Sequence, residues 1–402
     1  MILKYLMMIL CVFNVKPGQR CILNSRRDFG QPLPVIIRNG RLLEPTDKYG
    51  NVEIDNGETL TLSCGESRVR HPNANKHFEV ATVTCQGGDT FTNNDWITAP
   101  SSFLFFSCDI PPVYMSKRTN RTCHNNNKIF EVGYPVRDDF YPIYETCFDE
   151  WRLTPLYSVY TQKPYNAQFQ QHVERPYFVE DDAYRHLSVF KLFSPRGLEA
   201  AVRKRVGGHA ANDYITAESF LSRGHLAAKT DFVYAFGERA SFHYVNCAPQ
   251  WYGFNSGNWN TLEVDLRNRV HAAGYDTVIY TGTHGVMELL NSSGSTVDVH
   301  LYDDVNNNPL IPVPLYFYKV VYEPSSKRGT AFVGINNPFY SSVSRESVMI
   351  FCPDQCANNT QFSWLTWSPR TKSEGICFCC TVEHFRQVIP HLPPFEVTGL
   401  LS

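Results

Sequence analysis

Phe220-Leu221-Ser222-Arg223-Gly224-His225-Leu226-Ala227-Ala228 is the most telling stretch of the chain, because of the residues that come after it at short range. Asn246 and Gln250 lie in Asn-Cys-Ala-Pro-Gln, Asn255 lies in Phe-Asn-Ser-Gly-Asn-Trp, and Glu263 and Arg267 come next. Trp259 to Ala272 has a helical pattern, with Leu262, Leu266 and Val270 on one stripe. Gly257 and Asn258 read as its start signals and Gly274 as its stop. Glu263 and Arg267 are one helical turn apart on an adjacent face. Read singly, each residue has an ordinary explanation. His225 is a structural histidine, Glu263–Arg267 a surface ion pair of little worth, and Asn246 and Asn255 turn residues. Together, a histidine, a carboxylate, several amides and two arginines are what phosphodiester cleavage needs. Packing alone does not explain the set in this order.

Beyond this region, the chain has 402 residues, 43% hydrophobic and 19% charged, with a net charge of -2. That supports a large core and two domains, and it excludes a disordered chain. It also excludes a globally basic nucleic-acid binder, so any such contact rests on local basic patches. Lys4 followed by the apolar run Tyr5 to Val15 reads as a secretory signal peptide over residues 1–18, cleaved near Pro17 to Gln19. The rival reading is a buried N-terminal element. The run is too short to span a membrane, and nothing later resembles a transmembrane helix. Of the 13 cysteines, Cys11 lies in the leader, and the even remainder suits disulfides in an exported chain. Sequons at Asn120, Asn291 and Asn358 agree with export.

Residues 19–135 read as a small β-rich N-terminal module. Thr59 to Cys64 alternates apolar and polar, and Val80 to Cys85 is a second β-rich segment. Cys64 and Cys85 are candidates to tie these strands together, although sequence does not fix connectivity. Lys117 to Lys128 is polar and reads as a loop. Residues 136–402 form the second domain, with Leu156 to Tyr160 as its first strand. Leu198 to Arg205 is helical, and its Arg203-Lys204-Arg205 reads as a solvated helix end rather than a phosphate contact. Tyr316 to Tyr322 and Ala331 to Val333 read as core strands. Cys352, Cys356, Cys377, Cys379 and Cys380 have spacings that zinc tolerates, but export favours disulfides, with adjacent Cys379 and Cys380 going to different partners. Cys247 either joins Cys377 or stays buried and free.

The chemistry assigns roles. His225 can take a proton near neutral pH. Asn255 can give an oxygen to a divalent ion such as Mg²⁺, and Glu263 can hold that ion's waters. Arg223 and Arg267 can neutralise phosphate oxygens.

The motifs resemble those of the DNA/RNA non-specific endonucleases, the ββα-metal (His-Me finger) nucleases. That family carries Asp-Arg-Gly-His, Asn-x-x-Pro-Gln, Asn-x-x-x-Trp, and then Glu and Arg on a long helix. Here these are Arg223-Gly224-His225, Asn246 to Gln250, Asn255 with Trp259, and Glu263 with Arg267. The overall layout is closer still to arthropod secreted nucleases that act on duplexes, with Gln250-Trp251 and Cys379-Cys380 among the shared features.

The resemblance implies an α+β nuclease domain with a central antiparallel sheet. It implies His225 as general base, Asn255 as the direct Mg²⁺ ligand (with Mn²⁺ as the alternative ion) and Glu263 ordering metal-bound water. Arg267 would act on phosphate, while Asn246 and Gln250 would organise the site. Arg175, in Glu-Arg-Pro-Tyr-Phe, is the candidate for the family's upstream arginine. The expected substrates are double-stranded RNA and DNA, cut to leave 5′-phosphate and 3′-hydroxyl ends.

One departure stands out: Ser222 occupies the position of the family's Asp. It is the sole support for a rival reading, a catalytically silent nucleic-acid-binding protein. A second rival is a zinc enzyme built on the C-terminal cysteines.

Overall fold

The computed structural model describes residues 18–402 apart from 75, 77, 94, 96 and 341–347, so the expected leader lies almost wholly outside the described residues. No described helix is long and apolar enough to cross a membrane.

The N-terminal module is a six-stranded sheet. Its order is Arg41–Leu42, Val35–Arg38, Thr59–Ser63, Val80–Gly87, Thr90–Asn93 and Ile97–Ser102, antiparallel throughout. The expected alternation is present, since Leu60, Leu62 and Val83 are wholly buried while Thr59 and Thr82 face outward. The suggested Cys64–Cys85 link is not formed. In the antiparallel pair Cys64 sits beside Glu79 and Cys85 beside Glu58, at opposite ends of the two strands. Cys85 instead bonds Cys21, and Cys64 bonds Cys108.

The central sheet has eight strands in the order Met115–Thr122, Lys128–Val136, Asp139–Asp149, Thr154–Gln162, Thr277–His284, Tyr316–Glu323, Arg328–Ile335 and Ile376–Cys380. Every pairing is antiparallel. Leu156 to Tyr160 thus lies in the fourth strand, and the boundary expected at residue 135/136 falls inside the sheet. The first half of the segment expected as a loop, Lys117 to Lys128, belongs to the sheet's edge strand, and a tight turn follows it. It shows no apolar period because little of it is buried. Cross-strand ion pairs of Arg121 with Glu131 and Glu145, and of Arg118 with Glu150, replace apolar packing there. Cys123–Cys147 closes that corner.

Both faces of the sheet are covered. Along Tyr316–Glu323, Tyr318 and Val320 pack under the C-terminal helix Val382–Val388, whereas Phe317 and Val321 face the opposite layer. That opposite layer carries a two-stranded hairpin, Leu221–His225 with Cys247–Trp251, and the helix Asn260–Ala273. The helix buries Leu262, Leu266 and Val270, as its sequence stripe predicts, and ends at Gly274 in the left-handed conformation, φ 78°. Gly257 and Asn258 do not begin it. A short helix at Tyr252–Phe254 runs through a π-type turn, Asn255–Trp259, directly into it.

That turn is clamped from far along the chain. Asn258 donates to the carbonyls of Ser368 (2.8 Å) and Gly375 (2.7 Å) and accepts from the Ser368 amide at 2.7 Å. Gly253 and Gly257 leave no room for a side chain, because a Cβ there would meet Ser373 and Glu374. The clamping segment is itself stapled by Cys352–Cys380 and Cys356–Cys379, so the adjacent cysteines do take different partners. Replacing these four cysteines by serine removes closures of 28 and 23 residues, each worth about 3 kcal/mol by chain entropy. The thermal midpoint of that variant should fall by several degrees. An unchanged midpoint would show that the staples do not stabilise this fold.

Candidate active site

The hairpin, the turn and the helix form one ββα unit. In the hairpin, Ser222 pairs with Gln250, Gly224 with Ala248 and His225 with Cys247. Gly224 is required by space, since a Cβ there would come within 2.3 Å of the Gln250 side-chain oxygen.

His225 sits between two aromatic rings, Phe178 at 4.9 Å and Phe242 at 4.7 Å between centroids. The guanidinium of Arg223 lies over Phe178 (5.2 Å) and that of Arg175 over Phe242 (5.0 Å). The structure therefore brings Arg175 to the histidine despite the long intervening sequence. The Nε2 atom of His225 is buried with no hydrogen-bond partner among the described residues, a condition that functional sites keep and ordinary cores avoid. Burial pushes the imidazole down to about 3, and the charges of Arg175, Arg223 and Lys229 push the same way. The ring is therefore neutral at physiological pH, with a lone pair available.

The amides divide into two kinds. Asn246 is wholly buried and fully used. Its Oδ1 accepts from Ser158 Oγ and the Ala227 amide (2.8 Å each), and its Nδ2 donates to the carbonyls of Ala227 and Ser241 (2.9 Å each). It locks the chain just beyond His225 and has nothing left to offer a substrate. Asn255 differs. Its Nδ2 donates to Ser222 Oγ at 3.0 Å, and Ser222 Oγ donates to the Gln250 carbonyl at 2.8 Å. That leaves Oδ1 as the acceptor of the amide. Gln250 is buried, and neither side-chain polar atom has a partner among the described residues.

Glu263 and Arg267 do not form the helix-surface pair that their spacing allows. Arg267 is only 5% exposed and reaches Asp231 at 3.0 Å, with its guanidinium 5.1 Å from the Phe169 ring centroid. Asp231 also accepts from Tyr160 (2.5 Å) and Gln162 (2.9 Å). Lys319, fully buried, donates to Thr281 Oγ1 at 2.7 Å and Tyr160 at 3.2 Å. Among the described residues the Glu263 carboxylate has no hydrogen-bond or ion-pair partner. Its burial pushes it up to about 7; Lys319 and Arg267 oppose the shift and Asp231 adds to it. The sequence reading missed Asp231 and Lys319. Lys319 carried a signal, as a lone charge in the middle of the apolar strand Tyr316–Glu323.

An amide oxygen and an unpaired carboxylate about two turns apart on one continuous helical run suit a hard divalent cation that keeps several waters. The C-terminal cysteines do not suit zinc. Asp354, Cys356 and Cys379 come together, but the two sulfurs are joined as a disulfide. Cys247 and Cys377 are both free and buried, unlinked to each other. The basic triplet is a charged helix end, with Arg203 paired to Glu199 and both Lys204 and Arg205 paired to Asp303.

Residues 125–385 match the family model described as DNA/RNA non-specific endonuclease. A salivary endonuclease of Lutzomyia longipalpis is 28% identical over 362 residues, covering 89% of this chain and 78% of its own. The salivary protein Tsal2A of Glossina morsitans morsitans is 25% identical over 403 residues, 95% of each chain. A salivary endonuclease of Culex quinquefasciatus is 25% identical over 368 residues, 86% of this chain and 83% of its own.

The two asparagines should separate by experiment. Asn246→Ala strands several buried partners and should lose about 3 kcal/mol or more in denaturant unfolding. Asn255→Ala should stay within about 1 kcal/mol of the parent while weakening divalent-metal binding in calorimetry. Equal metal affinity in the parent and Asn255→Ala would rule Asn255 out as a ligand.

Proposed function

Because the chain belongs to the DNA/RNA non-specific endonuclease family, and is therefore a metal-dependent phosphodiester hydrolase, we propose that it is a secreted, Mg²⁺-using endonuclease of double-stranded RNA and DNA. The observation that carries this reading is the setting of His225, a neutral imidazole held between two phenylalanines with an arginine on each side.

Asn255 would hold the cation directly, and Glu263 through its waters. When bound, the cation stabilises charge on the scissile phosphate and the leaving oxygen. His225 takes the proton of the attacking water as the new P–O bond forms. The bond to the 3′-oxygen breaks and that oxygen takes a proton from a second water, leaving 3′-hydroxyl and 5′-phosphate ends. Arg223 and Arg175 sit where they can bind the phosphates that flank this event, and Arg267 where it can oppose charge built up near Glu263. Binding the phosphodiester cancels part of the field of Arg175 and Arg223, so the basicity of His225 rises when substrate is present. Ser222, the departure from the family pattern, accepts from the Asn255 amide and so still orients the side chain that would hold the cation. These contacts read backbone rather than bases, which suits sugar-non-specific cleavage. The salivary names of the relatives, with the five disulfides among the described residues, support secretion.

Digestion of plasmid and duplex RNA with Mg²⁺ should proceed, stop with chelator, and slow about 10²–10⁴-fold in His225→Ala. Equal digestion by His225→Ala would remove the general base. Duplex retained in a gel shift but never cut would favour the silent binder.

The pH profile gives a separate check. With His225 down at about 3, the acidic limb of kcat/KM belongs to Glu263, near its raised value of about 7. As pH falls through that value Glu263 gains a proton and would lose its hold on a bound cation's waters. Higher Mg²⁺ favours the ionised carboxylate and should move the limb to lower pH. A limb indifferent to Mg²⁺ concentration would detach Glu263 from the metal.

A further inference from the structure

The N-terminal module carries none of the residues assigned above, yet it is not a detached appendage. The segment from Lys163 to Arg175 runs between it and the catalytic layer and is bonded to both. On the catalytic side, Asn166 donates to the Asp231 carbonyl at 2.5 Å, and Lys229 donates to the Val173 carbonyl at 2.7 Å. Phe169 lies against the Arg267 guanidinium, and Arg175 closes the aromatic sandwich around His225. On the other side, Ser25 Oγ donates to the Gln168 carbonyl at 3.0 Å, and Arg26 donates to the Ala167 carbonyl at 2.8 Å.

Gln170 joins the two sides. Its Nε2 donates to the Ser25 carbonyl at 2.9 Å, and its Oε1 accepts from the Ala235 amide at 2.8 Å and from Gln31 at 3.3 Å. Its own amide donates to the Val233 carbonyl at 3.0 Å. Ser25 and Gln170 are both buried, and the fit is close. A Cβ on Gly50 would come within 2.5 Å of Ser25 Oγ and 3.0 Å of Gln168. Phe29 of the module packs on Tyr234, 5.2 Å between ring centroids, beside the same joint.

We propose that the N-terminal module is a positioning element of the active site: through Ser25, Arg26 and Gln31 it holds the 163–175 strap, which sets Phe169 against Arg267 and Arg175 beside His225. The inference rests on the nuclease reading for its consequence, though not for the contact itself. A strap released from the module loses its fixed backbone carbonyls at Ala167 and Gln168. Displacements of about 1 Å in groups that bind the reacting phosphate cost up to about 10²-fold in rate.

The test uses the full chain and three variants: Gln170→Ala, Arg26→Ala and Arg26→Lys. Arg26 is exposed, so its variants should fold even where Gln170→Ala does not. Kinetics on duplex substrate with Mg²⁺ are read beside hydrogen exchange over residues 168–175. Gln170→Ala should lower kcat about tenfold or more, with KM changed by less than about threefold. Arg26→Ala should show a smaller loss in the same direction, restored at least in part by Arg26→Lys, which keeps a long cationic donor at this position. Strap exchange should quicken in both alanine variants. Folded variants that keep the parent kcat overturn the inference, whatever their exchange. If the unmodified protein cleaves nothing, the nuclease reading fails, and exchange alone decides the rest; an unquickened strap then overturns the contact.

Discussion

The structure turns on the buried ion pair of Arg267 and Asp231. Both side chains are almost wholly removed from water, at 6% and 2% exposure. Charges in that state persist only when paired and hydrogen-bonded on every side. Tyr160, Gln162 and Arg267 meet that demand for Asp231, and they come from a sheet strand and the long helix. The pair thereby fixes the helix bearing Glu263, the turn after His225 and the central sheet to one another. Lys319 adds a second buried cation from the neighbouring strand Tyr316–Glu323. Burial pulls its ammonium below the ordinary value, while Asp231 and Glu263 oppose that pull. The floor of the site is thus a set of balanced opposite charges, each one destabilising without the others.

Much of this could be read from the sequence because it is local. The stripe Leu262, Leu266, Val270 gave the helix, and the alternation in Thr59 to Ser63 gave a strand, since burial on one face leaves its period in the chain. The family resemblance, not any local period, implied the ββα unit, and the motifs named the residues on it. What escaped was set by distant partners. The π-type turn at Asn255–Trp259 depends on Ser368, Ser373, Glu374 and Gly375, more than a hundred residues away. The edge strand Met115–Thr122 is held by ion pairs and so leaves no apolar period. Cys64 missed its partner because strand direction, not proximity in sequence, decides which ends meet. The reach of Arg267 past Glu263 to Asp231 follows from burial, which helix spacing does not reveal.

Ser222 shows how a departure from a motif can be accommodated. A carboxylate at this position would bring a charge and two acceptors. The hydroxyl brings one donor, spent on the Gln250 carbonyl, and one acceptor, used by the Asn255 amide. Both bonds are neutral, so no further negative charge is added beside Asn255. The aim of Asn255 Oδ1 is still set, because an amide whose nitrogen is held can present its oxygen in one direction only.

The clamp behind Asn255 has a consequence for the order of events in the life of the chain. Its two closures are covalent bonds of a kind that reducing compartments do not sustain. A newly made chain with those thiols still reduced keeps the clamping hydrogen bonds but lacks the covalent closures behind them. Oxidation therefore completes the backing of the turn after synthesis, so the rigidity behind Asn255 depends on the redox history of the chain as well as on its sequence.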